Sequence, residues 1–308
     1  MTQQPSSRRL TIQLLFAAAF VLAVGLPIRI YQQLYLIEPT GFWARFEPTQ
    51  VVLYLLLGLL ALAPGGMAWF AQPRAALDLG RRRRAAEGVA AFAAAASLMV
   101  DAVFAGLYAL ELLNKAPFSA TAALGAQIVM RSGGLGAMGE ALFALCGAAF
   151  FINLALIDLL PNKKIYLNRL LALAPLFWCV CRILRRFART ISYLRVSDLF
   201  LNLCMLVALM LFFLPFAQIL SGVNGERRAA RLGAAGAAAA ALQLLCFLPR
   251  AVAWAANIPL SQDALVEACD PVVAAFILIF LAGRLLVSDS SVASIAAPAQ
   301  ESAPEAEG

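Results

Sequence analysis

The chain has 308 residues, 63% of them hydrophobic and only 13% charged, with a mean hydropathy of +0.83 and a formal charge of +7. Ordinary soluble domains run at roughly 45–50% apolar and about 25% charged residues, so this composition excludes a typical water-soluble fold and fits a chain immersed in lipid. The sequence has no histidine, which excludes Ser-His and Cys-His pairs, an H-E-x-x-H zinc site and a histidine-ligated haem.

Lipid leaves only helices or closed barrels, because every backbone N–H and C=O must find a partner inside the protein. The apolar runs here are unbroken rather than alternating, which points to helices. The expected fold is therefore all-α: a polytopic transmembrane helical bundle of about eight spans. They fall near 10–30, 51–73, 86–112, 140–160, 166–186, 196–221, 232–257 and 264–287. Residues 1–9 form a cytoplasmic N-terminus, 10–287 the transmembrane helical domain, and 288–308 a disordered acidic tail rich in Ser, Ala and Pro. The start "SSRRLTIQLLFAAAFVLAVG" resembles a signal peptide, but its apolar run continues through Pro27 to Ile30 and reads as a retained first helix. Between the first two spans, "YQQLYLIEPTGFWARFEPTQ" carries the aromatic residues of an interfacial belt.

Arg8, Arg9, the run Arg81 to Arg84, Lys163 and Lys164 orient the chain with those segments in the cytoplasm. The positive charge thus records topology and contact with anionic lipid headgroups rather than nucleic acid. The six cysteines all lie in or beside apolar runs, the placement of small buried residues rather than of a disulfide framework. Cys179-x-Cys181 has no second cluster to complete a metal site, so no metal and no other cofactor is expected.

The third span places Asp101 in the middle of an apolar stretch. Ala90, Ala94, Ser97, Asp101, Ala105 and Tyr108 share one face, and Phe92, Met99 and Val100 lie opposite. An acid at mid-bilayer costs roughly 2.5–3.5 kcal/mol, so this face is expected to turn into the bundle. There Asp101 acts either as a proton or cation relay or as a hydrogen-bonded link between helices. Before the fourth span, "GLGAMG" at Gly134–Gly139 matches G-x-G-x-x-G. It leads into a membrane span without a βαβ unit, so it reads as a flexible turn rather than a dinucleotide site.

The fifth span is the weak point, because it leaves Arg182, Arg185, Arg186, Arg189 and Arg195 on the outer side. If 166–186 re-enters or lies in the interface, seven spans remain. Asp198 and Asn202 share a face of the sixth span, and Asn153 lies inside the fourth. The stretch "LGAAGAAAAA" in the seventh suits close small-xxx-small packing.

The last span's uncharged run, Val272–Gly283, covers only about 18 Å as a helix. It must borrow upstream residues, which draws Glu267 and Asp270 into the membrane; Asp263 lies on the same face. Arg250 in the seventh span falls at a similar depth if the turn lies near Ile258–Ser261. An ion pair of Arg250 with Asp270 or Glu267 is therefore expected.

"YLIEPTGFW", "SGVNGERRAARL" and "CFLPR" resemble stretches of multi-pass membrane proteins of anaerobic gut Firmicutes. That resemblance implies a bacterial inner-membrane address and carries no activity with it. Two functions fit the residues. The first is a small-solute or ion transporter lined by Asp101, Asn202, Arg250, Glu267 and Asp270, with Ser97 and Tyr108 on the Asp101 face. The second is a non-catalytic sensor, assembly factor or subunit that meets a protein partner or a second copy. With no catalytic constellation in view, an enzyme is not expected.

Overall fold

The computed structural model describes residues 7–37, 47–70, 85–115, 133–160, 169–188, 196–221, 228–258 and 268–285. Every element among them is helical: α1 (Ser7–Tyr35), α2 (Pro48–Phe70), α3 (Ala85–Lys115), α4 (Gly134–Leu159), a 3₁₀ turn (Leu171–Leu173) continuing into α5 (Ala174–Ala188), α6 (Val196–Leu220), α7 (Arg228–Ala255) and α8 (Cys269–Leu285). Each apolar segment of the sequence thus forms a helix. The segments 38–46, 71–84, 259–267 and 286–308 lie outside the described residues, and with them the aromatic linker's centre, the Arg81 to Arg84 run, Asp263, Glu267 and the acidic tail.

Five helices are long and apolar enough to cross a bilayer: Ile12–Tyr35, Ala85–Asn114, Gly134–Leu159, Phe200–Leu220 and Ala230–Ala255. Two shorter apolar helices, Pro48–Leu60 and Cys269–Gly283, accompany them. Pro27, Pro215 and Pro249 sit inside their helices. A membrane helix tolerates such prolines because neighbouring helices and local adjustment satisfy the freed carbonyl.

Small residues decide who packs on whom. Along α3, Ala91, Ala94 and Ala95 are buried, and on α4 so are Ala144, Ala148 and Ala155. At Gly88 a Cβ would lie 2.8 Å from the Leu159 side chain and 3.3 Å from the Ala155 carbonyl oxygen. Without side chains to hold them apart, the two backbones come close and gain dispersion contact, which is the main attraction left between helices in lipid. The alanine stretch of α7 serves the same purpose: Ala237, Ala239, Ala240 and Ala241 are fully buried, and α1, α2, α6 and α8 pack around them. Part of the core is filled by rings from α4 (Phe150, Phe151), α6 (Phe212, Phe213, Phe216) and α8 (Phe276, Phe280). Their centroids lie 4.9–6.4 Å apart, mostly edge to face, the favoured geometry for aromatic quadrupoles.

The two faces of α3 divide as the sequence periodicity requires: Ala90, Ala94, Asp101 and Ala105 are buried, while Phe92, Met99 and Val100 are exposed. The expected fifth span differs most from its sequence reading. It begins at Leu171 rather than 166 and ends at Ala188, about 27 Å of helix at 1.5 Å per residue. Its polarity is inverted relative to a soluble amphipathic helix. Leu170, Phe177, Leu184 and Phe187 are exposed, whereas Trp178, Cys179, Arg182 and Arg185 are buried. Two of the five arginines that weighed against an outward-facing loop therefore lie inside the bundle.

Candidate functional site

The glycines of "GLGAMG" build the site's first wall. Gly133 adopts the left-handed conformation, with φ 80°, immediately before the helix. The residues from Gly134 onward are already helical, which corrects the expectation of a flexible turn. Their smallness is spent on contact: a Cβ at Gly136 would lie 2.7 Å from the Arg185 backbone nitrogen, and one at Gly139 would lie 2.8 Å from Cys181 Sγ. This close approach presses the second turn of α4 onto α5 and delivers Glu140 to the arginines.

Glu140 is fully buried, with Oε2 2.9 Å from Arg185 Nε and Oε1 3.6 Å from Arg182 Nε. Both contacts are ion pairs without hydrogen-bond alignment, since neither Glu140 oxygen nor Arg182 Nε has a hydrogen-bond partner. The other side of the Arg182 guanidinium forks onto Asp270 of α8: Nη1 donates to Oδ1 at 2.6 Å and Nη2 to Oδ2 at 3.4 Å. Bidentate pairing of this kind is the strongest form of carboxylate recognition a side chain offers. Arg182 Cζ lies 4.9 Å from the Trp178 ring centroid, within cation–π range. Trp178 in turn donates from Nε1 to Asp101 Oδ2 at 2.7 Å.

Trp178, Arg182 and Arg185 follow at i, i+4 and i+7, so one face of α5 carries all three. Asp101, Glu140 and Asp270 converge on that face from α3, α4 and α8. The cluster's five buried ionisable groups are three acids and two arginines, and the half-buried Arg186 also acts on Glu140, so the ions balance at three and three. Desolvating each ion costs several kcal/mol, which mutual attraction and hydrogen bonds must offset.

The expected residues fare differently. Asp101 and Asp270 join the cluster. Ser97 donates its hydroxyl to the Ala94 carbonyl of its own helix at 2.8 Å. Tyr108 is half-buried with contacts of its own. Asn202 is buried, and its Oδ1 lacks a hydrogen bond. The expected pairing of Arg250 is corrected for Asp270, both of whose oxygens are engaged by Arg182, while Arg250 is buried with other interactions and its alternative partner Glu267 lies outside the described residues. The side chains of Glu267 and Asp198 lie outside those described. All six cysteines are free thiols.

Glu140 and Trp178 were not singled out in the sequence, and Arg182 and Arg185 were read there as loop charges, although the i, i+4, i+7 spacing opposite Phe177 and Leu184 was a readable signal. The glycine contact yields a prediction. Gly136→Ala must push α5 off α4, because the obstructing atoms are backbone, and should cost about 1–3 kcal/mol. Gly58→Ala, with nothing within 4 Å, should be neutral in the same unfolding experiment.

The fold and site define an all-helical chain with several membrane-length helices around a buried ionic cluster. No family model matches it, and neither does any curated protein or solved structure.

Proposed function

We propose that the chain is an eight-crossing integral membrane protein of the bacterial inner membrane that carries a small solute or ion, with the α3–α4–α5–α8 cluster as its working site. The observation that carries this reading is the burial of three carboxylates from three helices against the arginines of α5 inside an apolar bundle. Ionisable groups held at membrane depth are costly, and they recur in ion pathways and proton relays.

The fifth crossing is α5, whose buried arginines need not be counted as loop charges. Anionic headgroups hold the cytoplasmic arginines and lysines. The chain's own residues supply binding and proton exchange, with no bond-making chemistry.

The test is a flux screen in proteoliposomes across solutes and pH gradients, comparing wild type with Asp101→Asn. The amide keeps an acceptor for Trp178 Nε1, so folding should hold within about 1 kcal/mol. Flux should fall to the level of empty liposomes. Unchanged flux in the variant contradicts the reading.

A second reading, a non-catalytic membrane subunit, draws on the engagement of Asp101 and Asp270 by Trp178 and Arg182. It expects no flux with any solute and co-purification of a membrane partner or a second copy.

A further inference from the structure

The three acids of the cluster are not held alike. Asp270 accepts the Arg182 fork at 2.6 and 3.4 Å, and Asp101 accepts the Trp178 indole N–H at 2.7 Å. Glu140 is fully buried, yet neither of its carboxylate oxygens has a hydrogen-bond partner. Burial and missing donors both act against the ionised form of a carboxyl group more than against the neutral one.

The charge of Glu140 is held only by attraction without aligned hydrogen bonds. Arg185 Nε lies 2.9 Å and Arg182 Nε 3.6 Å from its oxygens, Arg186 acts on it as well, and the Asp101 carboxylate repels it. The thiols of Cys179 and Cys181 on α5 and of Cys269 on α8 complete its titratable neighbours from those two helices. On the α3 side, Gly88 packs against Leu159 and Gly147 against Leu98, so α3 and α4 run antiparallel. Seven residues on from Leu98 and seven back from Gly147 set Ala105 against Glu140, with the half-buried Tyr108 one turn beyond.

The position of Glu140 limits what a proton there would disturb. It is in the second turn of α4, about 9 Å along the helix from Gly134, and Arg185 is within one turn of the end of α5. Neutralising Glu140 removes a counter-ion from Arg185, whose side chain is 10% exposed, and from the half-buried Arg186. The fully buried Arg182 keeps its fork on Asp270. The excess positive charge thus falls on the arginines that reach nearest to water.

We infer that Glu140 is the proton-binding residue of the cluster and that the ion carried is the proton. The inference rests on the carrier reading and names its ion. A proton from water forms an O–H bond at Glu140 Oε1 or Oε2, and it returns to water when the carboxylate pairs again with Arg185 and Arg182. Asp101 and Asp270 remain ionised and hold α3 and α8 to α5.

The test is infrared difference spectroscopy of the full-length protein in hydrated bilayers, taken as the buffer is changed from alkaline to mildly acidic. Wild type should gain the C=O stretch of a buried protonated carboxyl group, which shifts in deuterium oxide. Glu140→Gln should lose that band completely. Glu140→Asp should show a band displaced from the wild-type position, because the shorter side chain places its carboxyl elsewhere. In proteoliposomes loaded with a pH-sensitive dye, proton flux driven by a potassium diffusion potential should fall in Glu140→Gln to that of empty liposomes.

No titrating band in wild type, or a band kept in full in Glu140→Gln, overturns the inference. If Glu140→Gln does not fold, a band at the wild-type position in Glu140→Asp overturns it. Flux of another solute without proton movement also overturns it and leaves the carrier reading. A Glu140-dependent band in a protein that moves neither protons nor any solute removes the carrier reading and leaves the proton site.

Discussion

Arg182→Met is expected to destabilise the protein by about 3–5 kcal/mol, the usual loss when one member of a buried ion pair is removed. The substitution keeps much of the side chain's volume, so the loss comes from the charge. It strands Asp270, which loses both hydrogen bonds from Arg182 and keeps only that of the Cys269 thiol at 3.6 Å, and takes from Glu140 one of its three cationic neighbours. Adding Asp270→Asn should recover part of the loss, because the uncompensated carboxylate disappears with it. Strictly additive losses in that double-mutant cycle would contradict the pairing. Arg182→Lys should fall between the two, since an ammonium keeps the charge and loses the fork. Reversible unfolding in mixed detergent micelles measures wild type, Arg182→Met, Asp270→Asn, the double variant and Arg182→Lys.

Leu184→Asp should be nearly as damaging, for a different reason. Leu184 is 56% exposed on the outer face of α5, on the side away from the arginines. With α5 crossing as proposed, a charge placed there meets acyl chains rather than a partner, at a cost approaching the roughly 2.5–3.5 kcal/mol of a mid-membrane charge. The expected outcome is reduced membrane-inserted protein in fractionated cells, whereas Leu184→Ala, which stays apolar, inserts normally. If α5 faced water, Leu184→Asp would be harmless, as exposed polar substitutions are in soluble helices.

Helix positions and the inward turn of Asp101 were legible in the sequence because both depend on local patterning. Apolar runs of span length fix where helices form, and the spacing Ala94, Ser97, Asp101, Ala105 fixes which side of α3 is buried. The partner of Asp270 was not legible. Sequence proximity and matched depth pointed to Arg250 on the adjacent helix, whereas the structure brings Arg182 from 88 residues away. That choice depends on where α5 docks, and α5 docks where Gly136 and Gly139 leave room. The same glycines read as a turn in the sequence because a Gly-rich start to a helix and a Gly-rich contact surface have the same composition. Arg182 and Arg185 were counted as loop charges, and topology rules alone cannot distinguish a loop arginine from one folded into the interior.

The account depends on α5 lying inside out, with its leucine and phenylalanine side chains toward lipid and its arginines toward the bundle. The most direct measurement places a nitroxide at Leu184→Cys and, separately, at Phe177→Cys in a background with the six native cysteines replaced, reconstituted in bilayers. Power-saturation spectroscopy then compares collisions with oxygen, which partitions into acyl chains, and with a water-soluble nickel chelate. The structure predicts high oxygen and low nickel accessibility at both positions. High nickel accessibility at either one would place that face of α5 in water and contradict the account.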